Sequence, residues 1–273
     1  MTQKRSTDSK LLHLPGSARG HDRRGIRRGV SLLPSLFTLA NLFCGWACVV
    51  FAMKGEIATA APFIGFAVVL DMLDGRIARM TGTTSDFGVQ LDSLADLISF
   101  GMAPAVLAFQ WGLLPLGRMG WAAGFIYLTA AALRLARFNI QAVTDKRYFV
   151  GLPSPAAAGL VAATVFYFPG GLTTYPVALL GAVMMVAPAL LMVSTIKFQS
   201  FKTVDLKMRR GYRGLFLIAA FIALLVTYPH EVLIVMAYAY FVSGFVGTFL
   251  GRGKKHDSVA TNAEAPPQAK DAS

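Results

Sequence analysis

Asp71-Met72-Leu73-Asp74-Gly75-Arg76-Ile77-Ala78-Arg79, then eight residues, Gly88, three residues, Asp92, three residues and Asp96: the four aspartates named here fall within 26 positions, in what otherwise reads as lipid-embedded helix. A charged side chain at the centre of a bilayer costs roughly 2.5 to 3.5 kcal/mol on insertion scales, so residues of this kind need partners and mark functional sites. Asp71 and Asp74 are three apart and Asp92 and Asp96 four apart, so each pair shares one face of a helix. A short turn between the two helices makes them antiparallel neighbours whose acidic faces can converge. Carboxylates in one box repel one another. Hard divalent cations such as Mg²⁺ or Mn²⁺, which take oxygen ligands, would neutralise them, so a shared metal site is the expected use.

The surroundings are those of an integral membrane protein. The 273 residues are 55% hydrophobic, with a mean hydropathy of +0.55. Ser31 to Met53 carries no charge over 23 positions, enough for one crossing of a hydrocarbon core about 30 Å thick. Phe149 to Ile196 is uncharged over 48 positions, enough for two crossings with Pro169-Gly170-Gly171 as the turn between them. The expected fold is all-α, a polytopic helical bundle of about eight transmembrane helices. Their expected positions are near 31–53, 57–80, 89–113, 119–139, 152–168, 173–196, 213–229 and 231–251.

Charge orients this bundle. Arg27 and Arg28, Arg76 and Arg79, Arg134 to Arg147, Lys197 to Arg213 and Arg252 to Lys255 fall in alternate connections. The intervening turns are nearly free of Lys and Arg. By the positive-inside rule both termini are cytoplasmic, and the acidic residues lie near the cytoplasmic surface, within reach of a soluble nucleotide. The organisation read from this is a basic cytoplasmic arm (1–28), a six-helix core (29–196), a basic loop with two additional helices (197–252) and a disordered tail (253–273). The arm holds eight Lys or Arg against two acids with no apolar run, so no cleavable signal peptide is expected. The net charge of +12 gathers beside membrane segments, which favours anionic membrane lipids as partners and not nucleic acid. Cys44 and Cys48, one turn apart on one helix, read as packing residues, and the four histidines lie outside the apolar cores, so no zinc cluster is expected.

Other functions compete for the same carboxylates. Gly75, Ala78 and Gly88 would let a flat or bulky ligand approach the helix backbones, with Arg79 available to a phosphate, although small residues also serve plain helix packing in membranes. A divalent-cation transporter uses intramembrane carboxylates too. It needs a polar path through the bilayer, yet helices five to eight carry no charge within their cores. That favours an enzyme open to one side, and a purely structural scaffold would leave the aspartates unexplained. Asn41, Pro104 and Pro188 read as features of helix shape.

The full pattern, D-x2-D-G-x2-A-R-x8-G-x3-D-x3-D, resembles the signature of the CDP-alcohol phosphatidyltransferase family at every fixed position and gap. The resemblance implies that Asp71, Asp74, Asp92 and Asp96 build a site for two divalent metals, Mg²⁺ or Mn²⁺. It further implies that Gly75, Ala78, Arg79 and Gly88 line a cytidine diphosphate pocket, that Asp96 is the general base, and that the donor is CDP-diacylglycerol. The flanking run Gly82 to Gly101, with Arg134-Leu-Ala-Arg137-Phe-Asn139 and Gly151-Leu-Pro-Ser-Pro155, is similar to the serine-accepting bacterial branch of that family, the membrane-type phosphatidylserine synthases. That likeness covers about residues 29 to 194. It implies L-serine as acceptor, phosphatidylserine and CMP as products, and a bacterial inner membrane location with the active site facing the cytoplasm.

Physical reading adds an acceptor site without deciding the acceptor. Arg134 and Arg137, three apart on one face, and Asn139 lie at the cytoplasmic end of the fourth helix, where an arginine can hold a carboxylate bidentately. A glycerol-3-phosphate acceptor would also suit arginines, which keeps phosphatidylglycerophosphate synthesis as the alternative. The segment from Lys146 to Pro155 is a candidate cover for the acceptor. A symmetric homodimer is a candidate assembly.

Overall fold

The computed structural model describes residues 22–81, 85–141, 149–194, 197–198 and 212–243. Residues 1–21 of the basic arm, the tail from 253, residues 146–148 of the candidate cover and most of the basic loop lie outside these. The described chain is an all-α membrane bundle. Among the described residues five helices are long and apolar enough to cross a membrane, or six if the bent pair after Leu215 is one span, where the apolar runs lead to an expectation of about eight.

Helix α1 (Asp22–Met53) starts nine residues before Ser31, reaching into the basic segment. It is joined to α2 (Ile57–Thr81) through Gly55, at φ +79°. There Glu56 N donates to Phe51 O at 3.0 Å and Gly55 N to Ala52 O at 3.0 Å, so the orphan carbonyls of the α1 terminus are closed by a tight turn. This turn lets α1 and α2 pack side by side. Residues packed between them include Cys48, Ala52, Ala60, Ala61 and Ile64. Small side chains let the backbones approach closely, the usual way helices associate in lipid.

Helix α3 (Asp86–Asp96) is started by Ser85, whose hydroxyl accepts from Gly88 N at 3.1 Å, with Asp86 placed in the first turn where the helix dipole favours an anion. The run continues through a π-helical stretch (Leu97–Met102), α4 (Ala103–Ala108), a second π stretch (Phe109–Leu113) and a 3₁₀ turn (Leu114–Leu116). Gly117, at φ +54°, then reverses the chain into α5 (Arg118–Gln141). Helices α3 and α5 run antiparallel in one register: Ser93 meets Asn139, and Gly101 packs so closely on Ala131 that a Cβ would come within 3.2 Å of it.

Helix α6 (Ser154–Tyr167) is short and sits inside the bundle, with nine of its 14 residues buried. It is followed by α7 (Tyr175–Val193). Two-residue strands β1 (Phe149–Val150) and β2 (Lys197–Phe198) pair antiparallel and link the connection before α6 to the one after α7. Leu152 N also donates to Leu191 O at 3.1 Å. On the opposite side of the bundle the α6–α7 turn is pinned by Trp111, whose indole N–H donates to Phe168 O at 2.6 Å and whose carbonyl accepts from Leu172 N at 3.2 Å.

Ser35–Met53, Ile57–Ile77, Asp86–Leu116, Arg118–Ile140 and Tyr175–Val193 are each long and apolar enough to cross a membrane. Helices α8 (Tyr212–Thr227) and α9 (Pro229–Ser243) meet at a bend of 116°. Large apolar side chains stand outward around the bundle, Phe43 at 64% and Phe125 at 69% exposure among them. Such a surface belongs against lipid.

Candidate active site

The site lies where α1, α2, α3 and α5 meet, around the aspartates. Asp71, Asp74 and Asp92 each offer a carboxylate oxygen, and these lie within 4.8 Å of one another. Asp74 is buried; Asp71, Asp92 and Asp96 are half-buried. Asp96 stands beside this triple, its Oδ1 accepting from the Asn41 amide at 3.2 Å. The two predicted faces therefore converge as the spacing requires.

Helix α1 supplies what the sequence reading missed. Thr38 donates its hydroxyl to Asp74 Oδ2 at 3.3 Å, and Asn41, three residues on and fully buried, bonds Asp96. The main-chain carbonyl of Asn41 in turn accepts from the Ser99 hydroxyl at 2.9 Å. So Asn41 is more than a feature of helix shape: it is a side-chain partner of a site carboxylate. The available signal was a threonine and an asparagine one turn apart in a 23-residue uncharged run, where polar side chains also seek partners.

The carboxylate set suits a divalent cation. Three oxygens converge, and Asp92 Oδ1 is buried with no hydrogen-bond partner. A buried acceptor left unmatched among other anions is poorly placed unless a cation meets it. Hard oxygen donors are the ligands that Mg²⁺ and Mn²⁺ prefer.

Of the residues expected at a nucleotide pocket, Gly75, Ala78 and Arg79 lie on α2 after Asp74 and Gly88 lies in the first turn of α3. Gly75 leaves the α2 backbone bare, and the Arg79 guanidinium folds back to 3.9 Å from where a Cβ on Gly75 would stand. A cation and an exposed backbone thus share one spot, an arrangement that accepts a phosphate. Gly88 gives its N–H to the Ser85 cap, and a Cβ there would meet the Ser85 hydroxyl at 3.2 Å. Ala78 lies on α2 between these residues.

Of the acceptor candidates, Asn139 donates to Ser93 Oγ at 2.9 Å and ties α5 to the turn between Asp92 and Asp96. Arg134 donates from Nη1 to Ser154 Oγ at 2.8 Å, which joins α5 to the start of α6, while its Nε is buried with no partner. It is in electrostatic reach of Asp71, Asp96 and Tyr240. Arg137 is half-buried, three residues further along α5. Helix α9 brings Tyr240 within electrostatic reach of Arg134 and sets the Tyr238 hydroxyl 3.2 Å from Thr164 Oγ1.

Comparison with known proteins agrees with this geometry. The model of the CDP-alcohol phosphatidyltransferase family matches residues 31–196. The CDP-diacylglycerol–serine O-phosphatidyltransferase of Helicobacter pylori strain 26695 is 36% identical over 221 residues, covering 79% of this chain and 90% of that protein. The protein of the same name from Bacillus subtilis strain 168 is 35% identical over 173 residues, 63% of this chain and 93% of its own. The archaetidylserine synthase of Methanothermobacter thermautotrophicus is 35% identical over 168 residues, 61% of this chain and 69% of its own.

Proposed function

Because the chain belongs to the CDP-alcohol phosphatidyltransferase family, we propose that it transfers the phosphatidyl group of CDP-diacylglycerol to the hydroxyl of L-serine, giving phosphatidylserine and CMP. The observation that carries this reading is the convergence of Asp71, Asp74 and Asp92, with Asp96 held beside them, on the motif that the family signature describes. Relatives that bear the serine-transferase name supply the acceptor.

Asp71, Asp74, Asp92 and Asp96 would hold two divalent cations, Mg²⁺ or Mn²⁺. When bound, these supply charge neutralisation at the pyrophosphate and stabilise the departing CMP. The protein residues do the rest. Asp96, fixed by Asn41 at one oxygen, takes the proton of the serine hydroxyl while that oxygen forms a bond to the lipid-side phosphorus. The phosphorus–oxygen bond to CMP breaks as the new one forms. Gly75 and Gly88 leave room for the nucleotide against bare backbone, and Arg79 meets a phosphate. Arg134, with Arg137 beside it, holds the serine carboxylate, and Asn139 keeps the α3 turn that carries Asp92 and Asp96 in place.

Depth explains how one site serves three molecules. The aspartates stand where α2 ends and α3 begins, on the side that positive-inside charge makes cytoplasmic, so the acyl chains stay in the bilayer while serine and CMP exchange with water. The membrane is then the bacterial plasma membrane, with eight crossings and both termini in the cytoplasm.

The test is CMP release by the detergent-purified protein with CDP-diacylglycerol and Mg²⁺ or Mn²⁺, offering L-serine, glycerol-3-phosphate and inositol separately. Release with serine alone supports the reading. Release with another alcohol alone overturns the acceptor, and no release with any of them, in folded protein saturated with cation, returns the carboxylates to ion transport.

A further inference from the structure

Two buried polar groups next to Asp96 lack partners, and they are of opposite sense. Asn41 turns its NH₂ to Asp96 Oδ1 at 3.2 Å, which leaves its own Oδ1 buried without a donor in a residue of 0% exposure. Arg134 spends Nη1 on Ser154, which leaves its Nε buried without an acceptor. A buried acceptor or donor left unmatched costs about 1 to 3 kcal/mol, so such groups are rarely kept idle.

Both groups address the same carboxylate. Asn41 is bonded to it directly. Arg134 reaches it from α5: Ser93 opposite Asn139 and Gly101 opposite Ala131 set one antiparallel register, which puts Arg134 level with Ile98, about half a turn beyond Asp96. The Asp96 charge acts on the Arg134 guanidinium accordingly.

One unmatched acceptor on a residue bonded to Asp96 and one unmatched donor on a residue within its electrostatic influence suit an amino acid with a side-chain hydroxyl. In serine the hydroxyl oxygen and the ammonium nitrogen sit on adjacent carbons, and the carboxylate lies on the far side of the ammonium-bearing carbon. We propose that Asn41 is an acceptor-binding residue whose side-chain carbonyl receives the serine ammonium, while Arg134 Nε receives the serine carboxylate. The hydroxyl is thereby set on Asp96. This rests on the serine reading above and adds the residue that distinguishes an amino alcohol from a plain one. An acceptor without an ammonium leaves the Asn41 carbonyl to a weaker neutral donor or to none, and buried groups left unpaired are what give sites of this kind their discrimination.

The experiment compares L-serine with 3-hydroxypropionate, which lacks the ammonium, and ethanolamine, which lacks the carboxylate, each as an inhibitor of CMP release from serine. In the wild-type protein both analogues should bind at least tenfold more weakly than serine. In Asn41→Ala the KM for serine should rise at least tenfold, the inhibition constant of 3-hydroxypropionate should move less than threefold, and the KM for CDP-diacylglycerol should hold. Arg134→Met should show the converse, with ethanolamine unaffected and 3-hydroxypropionate weakened. Equal weakening of serine and 3-hydroxypropionate in Asn41→Ala would mean that Asn41 acts only through packing and overturns the proposal. Should that variant fail to fold, the wild-type comparison decides alone, because 3-hydroxypropionate binding as tightly as serine overturns it too. Absence of CMP release from serine in the wild-type protein would overturn the serine reading itself, an outcome separate from serine turnover with undiscriminated analogues.

Discussion

Gly45 lies against Ser99 so closely that a Cβ on the glycine would stand 2.5 Å from the Ser99 hydroxyl and 2.8 Å from its Cα. One turn earlier on α1 the main-chain carbonyl of Asn41 accepts from that same hydroxyl, and the Asn41 side chain bonds Asp96. The close approach of α1 to the π-helical stretch after α3 is therefore the support on which Asp96 is held. Gly45→Leu should push the two helices apart and destabilise the protein by about 1 to 3 kcal/mol, as overpacking does. A fall in the melting temperature in detergent, together with lost CMP release, is the expected result. Retained activity at unchanged stability would show that the contact does not position Asp96.

The four carboxylates should separate into two roles. Asp96→Asn keeps the hydrogen-bonding shape beside Asn41 but removes the base, so the rate should fall by a factor of about 10² to 10⁴ while cation and CDP-diacylglycerol still bind. Asp71→Asn or Asp92→Asn takes an oxygen anion from the convergent set and should lose cation binding and activity together. Calorimetric titration with Mn²⁺ beside CMP release separates the two patterns. Full activity in Asp96→Asn would remove that residue from the base role.

Chelation is the next test. Treatment with EDTA should abolish CMP release, and Mg²⁺ or Mn²⁺ should restore it. The cation should also raise the melting temperature, since a ligand at a hundredfold excess over its dissociation constant stabilises the folded state by about 2.7 kcal/mol. Asp92→Asn should blunt that rise. A melting temperature indifferent to divalent cations in the wild-type protein would count against any cation at the box.

Trp111 offers a contrast at the far end of the bundle. Its indole N–H and its carbonyl both hold the α6–α7 turn. Trp111→Phe should cost about 1 kcal/mol through the lost hydrogen bond and the stranded Phe168 carbonyl. The KM for serine should stay where it is, because nothing at that end touches the carboxylates. A changed KM would show that the turn is coupled to the site.

What could be read in advance follows from the physics of each signal. Charges in an apolar run are conspicuous, and spacings of three and four determine a helix face, so the convergence of Asp71, Asp74 and Asp92 was legible before any coordinates. The neutral residues on α1 were not. Thr38 and Asn41 each have alternatives inside a helix, such as a bond to the preceding turn, so their presence alone does not point across to another helix. Asn139, an acceptor candidate on sequence, also gives its amide to Ser93, a pairing that no spacing announces because it depends on the α3–α5 register and therefore on the turn at Gly117. Helix α9 carries no signature, and only the fold shows Tyr240 near Arg134.

The π-helical stretch that begins one residue after Asp96 separates the helix into two rotational frames. Each π turn takes up more than the 3.6 residues of an α turn, so side chains beyond Met102 point in directions that counting from Asp96 by α-helical steps does not give. The half before the π stretch is phased to aim carboxylates at the cluster; the half from Ala103 to Leu116 is phased to pack Leu107, Trp111 and Leu113 inside the bundle. One uninterrupted α-helix could not serve both aims with these residues. Deleting a single residue between Leu97 and Met102 would turn the aspartates and the segment beyond Met102 to a different relative angle, and so misdirect one of them.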